Sequence, residues 1–228
     1  MKRFQSKTLA LAALAVASLS SAHAALTVSE VAPYASGNTP FTADWFELSN
    51  TGPSAIAVSG WAMDDNSNSF AVSAPMSGIT SIAAGESVIF IECAAGCASI
   101  AGFQSYWGSP VSGVQIGTYS GSGVGLSSAG DAVNVFNSSG TVLARVSFGA
   151  STIGRSFDNA AGLNNVALTT LSTLGVNGAF NSAANLTGTA QLDVGSPGRI
   201  AAVPEPESYA LMLAGLLAVG SVVRRRQR

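Results

Sequence analysis

Between Leu26 and Gly149 short apolar-rich segments alternate with runs of turn-forming residues. "LTVSEVAP" is a β-prone segment that stops at Pro33, and "DWFELSN" sets Trp45 and Glu47 against Phe46 and Leu48 before the turn formers "NTGPS". "AIAVSGW" and "NSFAV" read as further strands separated by the polar "DDNSNS". In "ESVIFIE", Val88 and Phe90 face one way and Ile89 and Ile91 the other, the pattern of a strand buried on both sides. "DAVNVF" and "TVLARVSF" flank "NSSG", a four-residue connection that closes a hairpin, and the alternation turns Arg145 toward solvent. No helical periodicity of useful length occurs between the two ends of the chain.

Strands this short, with turn signals every dozen residues or so, predict an all-β sandwich. Trp45, Phe46, Trp61, Phe90, Phe136 and Phe148 are its expected large core residues. Beyond Gly149 the pattern loosens into Asn, Ser and Gly with spaced apolar residues (Phe157, Leu163, Val166, Leu168, Leu171), read as a loop-rich extension over 150–200 that packs on the sandwich. No internal repeat emerges.

The ends differ from the middle. Lys2, Arg3 and Lys7, the apolar "LALAALAVASL" and "SSAHA" follow the order of a secretory signal peptide over 1–24, with Ala22 and Ala24 at the cleavage site and Ala25 as the mature start. At the other end an apolar run from Tyr209 to Val223 is followed by Arg224, Arg225, Arg226 and Arg228. As a helix this run reaches about 22 Å against about 30 Å of hydrocarbon, a short transmembrane span that snorkelling arginines and bilayer thinning accommodate. The arginines stay in the cytoplasm by the positive-inside rule, which leaves the body outside.

Export changes the charge and the chemistry. The only histidine, His23, leaves with the signal, so no Ser-His-Asp triad and no His-ligated zinc is expected in the mature chain. Between Ala25 and Val203 three arginines stand against ten acidic residues, a net −7, whereas the whole chain reads −2. Such a surface repels phosphate backbones, so no nucleic-acid partner is expected. No cofactor is expected either. Cys93 and Cys97, in an oxidising compartment and separated by a short loop with Gly96, are expected to form a local disulfide.

Three groups are candidate sites. Asp64, Asn66 and Asn68 alternate as in the first half of an EF-hand loop, but Ser69 and Pro75 stand where Gly and a carboxylate belong, which favours a solvated turn over a metal site. Asp44 and Glu47, three apart on an extended chain, face opposite sides unless Asp44 lies in the preceding loop, so Glu47 is expected to accept hydrogen bonds from a neighbouring turn rather than to act as an acid or base. Tyr106 and Trp107, with Phe103 and Tyr119 nearby, either stack on sugar rings as a ligand-binding surface or fold back to cover a sandwich end.

Several motifs in order, "VSEVAP", "DWFELSN", "VSGW", the Ala84–Gly85 turn before "ESVIF", and "LSSAGD" leading into the hairpin, resemble the lamin-tail domain. "GRSFD" (154–158) and "GSPG" (195–198) resemble closing elements of bacterial examples, so the likeness spans most of Leu26 to Arg199. The resemblance implies an immunoglobulin-like β-sandwich and an interaction role, not a particular chemistry. The stretch between Ser99 and Gly123 reads as an insertion relative to that pattern. Pro204, Glu205 and Pro206, the single short span and the terminal arginines resemble the PEP-CTERM sorting signal over 201–228. That implies a Gram-negative bacterium with an exosortase-type enzyme as partner, transient residence in the inner membrane, and a destination at the cell surface or outside the cell. The expected function is therefore a non-enzymatic surface or biofilm-matrix protein with a structural or adhesive role, possible contacts being exopolysaccharide or other surface proteins. A carbohydrate-binding module using the loop aromatics is the alternative, and a secreted hydrolase-like enzyme the third reading.

Overall fold

The computed structural model describes residues 26–33, 43–93, 100–121, 123–184, 192–199 and 215–216. Two units are distinguished: Ala24–Val203, and one made of Met1–His23 with Pro204–Arg228, of which the described residues, Gly215 and Leu216, are helical.

In the larger unit the strands run β1 (Leu26–Ala32), β2 (Trp45–Asn50), β3 (Ile56–Ala57), β4 (Ala62–Asp64), β5 (Ala74–Ser77), β6 (Ser81–Ile82) and β7 (Ser87–Glu92). Helix α1 (Ile100–Trp107) follows, then β8 (Ile116–Tyr119), β9 (Asp131–Phe136), β10 (Val142–Phe148), β11 (Phe157–Asp158), β12 (Val166–Leu168), β13 (Phe180–Asn181) and β14 (Val194–Gly195). Ten strands form one hydrogen-bonded sheet in the order β11-β1-β2-β7-β8-β5-β4-β9-β10-β12, which folds over on itself at β5. The two ends of β5 serve different leaves: Ala74 and Pro75 pair with Met63 and Ala62, while Met76 and Ser77 pair with Tyr119 and Thr118. The result is a sandwich closed along one side.

Period-two alternation explains the main core. Val28, Val31, Phe46, Leu48, Val88 and Phe90 project from the first leaf onto Met63, Val133, Val135, Ala144 and Val146 of the second. The Phe46 and Phe90 rings stack at 5.7 Å. Expected strands at Trp45, Ser87, Asp131 and Val142 form where the alternation placed them. The hairpin between β9 and β10 turns at Asn137, whose Oδ1 accepts from the N–H groups of Ser139 (3.0 Å) and Thr141 (2.9 Å), with Gly140 at φ +81°. Arg145 is half-buried on the outer face of β10.

Three local expectations differ from the fold. "NSFAV" forms a 3-10 turn at Phe70–Val72 rather than a strand, with Phe70 laid on the Phe136 ring at 5.7 Å. Only Ile56 and Ala57 of "AIAVSGW" pair in a ladder before the chain turns at Gly60, φ +75°. The stretch read as an insertion contains α1, a helix the periodicity reading missed because it is eight residues long. Its Phe103, Tyr106 and Trp107 lie at the i, i+3, i+4 spacing of one helical face and are buried against Trp45, Ile89 and Ile91 on the outer side of the first leaf. That second core accounts for the two-sided burial of β7.

After Gly149 the chain returns to the sheet. β11 pairs with β1, β12 runs parallel to β10, and β13 pairs with β14. A strand bond thus ties each leaf to the loop-rich segment.

Gly117 in β8 tests how β8 fits between β5 and β7. A Cβ there would lie 2.4 Å from Ser77 O and 2.7 Å from the Phe90 ring, so the strands must separate or Phe90 must leave its stack. Gly117→Ala is expected to destabilise the protein by about 2 kcal/mol, as overpacking typically does, read as a lower urea midpoint with unchanged slope.

Candidate functional site

The β1–β2 ladder carries an irregularity at Ser29, where the register steps from Val28↔Leu48 to Glu30↔Glu47. The step places two glutamates directly opposite each other. Residues two apart share a face, so Glu47 lies with Trp45, and Glu30 with Ala32, on the outer side of the first leaf. Both are 0% exposed. Like charges directly opposite destabilise a strand pair, and an unpaired buried charge is costlier still.

Hydrogen-bond donors surround the two carboxyl groups. Ser196 N–H (2.7 Å) and Ser156 Oγ donate to Glu30 Oε1, and Ser196 Oγ donates to Oε2 at 3.0 Å. Ser172 Oγ lies 2.7 Å from Ser156 Oγ. Glu47 Oε1 accepts from Ser29 Oγ at 2.6 Å, Oε2 accepts from Gly198 N–H, and a hydroxyl chain continues through Ser49 to Ser87. The bulge frees Ser29 for this role. Arg155 donates to Ser172 O at 2.8 Å rather than to either carboxylate.

Burial pushes Glu30 up to about 7, with Asp158 adding to the rise and the Ser156 and Ser196 donors opposing it. Glu47 is pushed up to about 8, first by burial and then by the charge of Glu30, against the donors Ser29, Gly198 and Ser87. The pair therefore holds a proton at neutral pH. A general acid or base must come within hydrogen-bond reach of a substrate. Carboxyls sealed beneath Ser196 and Gly198 act instead as a clamp on the segment that covers them. Gly195 is part of that cover: a Cβ there would lie 2.9 Å from Glu30 Oε1 and 2.9 Å from the Trp107 ring.

Glu47 does accept from a turn, but the turn lies 151 residues downstream. Asp44 does precede the strand, and its Oδ2 takes Leu126 N–H at 3.0 Å, so the partner brought to Glu47 is Glu30. Sequence reasoning missed Glu30 because facing across strands depends on the bulge. The polar "DDNSNS" is a turn in which Asp64 Oδ2 accepts from Ser67 Oγ (2.6 Å) and Ser69 N–H (2.7 Å). Among the described residues no three His, Cys, Asp or Glu side chains converge to hold a metal ion.

Tyr106 and Trp107, weighed as a sugar-stacking surface, are each 1% exposed. Trp107 meets Trp45 (5.9 Å), Tyr106 (5.6 Å) and Phe180 (5.6 Å) edge to face, and Tyr106 OH donates to Asp193. No ring face is presented to a ligand, because helix formation turns both side chains onto the sheet. Cys93 follows β7 directly, with its N–H on Tyr119 O at 2.8 Å, while Cys97 lies outside the described residues. So do Ala22, Ala24, Pro204, Glu205, Pro206, Arg224, Arg225, Arg226 and Arg228, and all of the 209–223 span except Gly215 and Leu216. Among the described residues no helix is long and apolar enough to cross a membrane.

Several motif residues have structural work in this geometry. Asn50 Nδ2 donates to Ile82 O (3.0 Å) and Ser54 O (2.9 Å) while its Oδ1 takes Gly52 N–H at 3.0 Å. Asp131 accepts from the N–H groups of Ser127 (2.7 Å) and Asn66 (2.8 Å). A family model for the Lamin Tail Domain matches residues 20–150, more than half of the chain. The chain belongs to the lamin-tail-domain family. A second model, the PEP-CTERM protein-sorting motif, matches residues 202–227 and implies export through an exosortase-type enzyme in a Gram-negative bacterium. No curated protein matches the chain. Both matched families are structural or sorting modules, and the lamin-tail domain is immunoglobulin-like, in agreement with the sandwich. Glu30 and Glu47 fall inside the lamin-tail match, whereas Ser156, Ser172, Ser196 and Gly198, which satisfy them, fall beyond it.

Two outcomes follow from this geometry. An unfolded Glu ionises at about 4.3, so above that pH the folded lamin-tail protein binds more protons than the unfolded chain. Stability should therefore fall as pH rises from about 4.5, by about 1.4 kcal/mol per pH unit for each proton, and level off above about 8. Glu47→Gln should flatten that slope in urea titrations run from pH 5 to 9. Trp107→Ala should cost about 3–5 kcal/mol of stability, as large-to-small changes in a core do, measured by the same titration at fixed pH.

Proposed function

We propose that this lamin-tail protein is an exported, non-enzymatic surface or biofilm-matrix component, with a structural or adhesive role, released to its destination by an exosortase-type enzyme acting at Pro204–Glu205–Pro206. The carrying observation is the sorting-motif match over 202–227, joined to a body whose family is known for interaction rather than catalysis. In this reading the signal peptide ends at Ala24 and the mature chain begins at Ala25 in an oxidising compartment, where Cys93 and Cys97 bridge. Residues 209–223 hold the chain in the inner membrane with the arginines of 224–228 on the cytoplasmic side, and the hold lasts only until sorting. The partners are then the sorting enzyme, the membrane in passing, and exopolysaccharide or other surface proteins at the destination.

The low surface charge and the absence of lysine between Ala25 and Val203 suit such a role. A protein with few ionic groups makes few salt-sensitive contacts and depends on hydrogen bonding and shape.

The test is the intact mass of the native protein taken separately from membranes and from the extracellular matrix. The expected matrix form starts at Ala25, ends near Pro204–Pro206 and is 2 Da lighter than the reduced chain, the mass of the two hydrogens lost in one disulfide. Replacing all three motif residues by Ala should leave the full tail in the membrane fraction. A single membrane-bound species that retains Arg228 in the unaltered protein would sink the sorting proposal.

A further inference from the structure

The segment that seals the carboxyl pair is also the last described stretch of the sandwich before the sorting motif. β14 is anchored by backbone bonds: Val194 N–H donates to Gly154 O at 2.8 Å, and Ser182 N–H to Asp193 O at 2.8 Å. The next residues are held differently. Ser196 N–H and Gly198 N–H both end on carboxyl oxygens, one on each glutamate, and Arg199 N–H turns back to Ser196 O at 3.0 Å. The strap Ser196–Arg199 therefore depends on Glu30 and Glu47 for its tertiary backbone bonds.

We propose that the Glu30–Glu47 pair is a proton-dependent latch that sets how much chain joins the sandwich to the sorting motif. With a proton on the pair, one carboxyl group is neutral and both N–H donors are held. Loss of that proton leaves two negative charges opposite each other in a dry site, and opening the strap admits water to both.

The other charged groups around the pair do not relieve this. Asp158 on β11 lies in register with Glu30 and adds negative charge. Arg155 is directed to Ser172 O, Arg199 lies over the Phe180 ring at 5.2 Å, and Asp193 takes the Tyr106 hydroxyl. The closed strap leaves five Cα–Cα steps from Arg199 to Pro204, at most about 18 Å of chain. Opening it moves the last anchor back to Gly195 and extends that reach to about 32 Å.

The latch rests on the sorting reading for its purpose but not for its chemistry. Opening releases protons, so it is favoured as pH rises from the unfolded carboxyl range and levels off once both groups are ionised when closed.

The experiment is amide hydrogen exchange by mass spectrometry on the full chain in detergent micelles, at pH 5.5 and 8.5, with each rate corrected for its intrinsic pH dependence. Peptides over 192–199 are compared with peptides over β9 and β10. The expected result is a rise in strap opening of about a hundredfold or more over this range, up to tenfold per pH unit for each proton released, while the β9–β10 reference changes less. Glu47→Gln should remove the part of that pH dependence that extends above about 7, leaving the part that Glu30 contributes below it. If that variant fails to fold, Gly195→Ala supplies the second arm: its Cβ meets Glu30 and Trp107, so strap exchange should be fast at both pH values. Strap protection that is unchanged with pH, or that changes only in parallel with β9–β10, overturns the latch. A pH-dependent strap on a chain whose tail is never removed leaves the latch standing and defeats the sorting reading instead.

Discussion

The first leaf of the sandwich is covered on both faces, and its outer cover is built partly from polar groups. Glu30 and Glu47 face each other across β1 and β2, both 0% exposed, and among the described residues no cation is directed at them. Two such carboxyls are tolerable only when one holds a proton and every remaining acceptor finds a donor. One donor, Ser29, lies on β1 itself, and the others come from Ser156, Ser172, Ser196 and Gly198, which enter the fold after the hairpin of β9 and β10. The arrangement of the last fifty residues of the sandwich is thus tied to a requirement set in its first two strands.

The same outer face explains α1. β7 carries isoleucines on the side away from the main core, and without a cover Ile89 and Ile91 would expose apolar area to water. The helix supplies Phe103, Tyr106 and Trp107, and Tyr106 joins the apolar patch to the polar one by donating to Asp193, next to β14. Aromatic residues that look available for a ligand are in this way consumed by the fold. What is left outward is a lightly charged surface, the form expected of a module that works by contact.

Export and fold meet at the strap. The lamin-tail match covers the body to residue 150 and the sorting-motif match covers the tail from 202, and the stretch of 151–201 between them includes the residues that close over the glutamates. A clamp at this position means that the state of the fold is felt where the tail begins.

The sequence by itself determined the strands that alternate cleanly, the hairpin at Asn137, the burial of β7 on both sides and the order of motifs that marks the family. These follow from local periodicity and turn chemistry, which act over a few residues. It did not determine the helix at Ile100–Trp107, because eight residues carry too little periodic signal and form a stable helix only against the sheet. Nor did it determine the 3-10 turn at Phe70, which packs on Phe136 from a distant strand. The glutamate pair was decided by tertiary structure alone. One residue of bulge at Ser29 sets which side chains meet across the strands, and a turn 151 residues away from Glu47 supplies the donor that lets it stay buried.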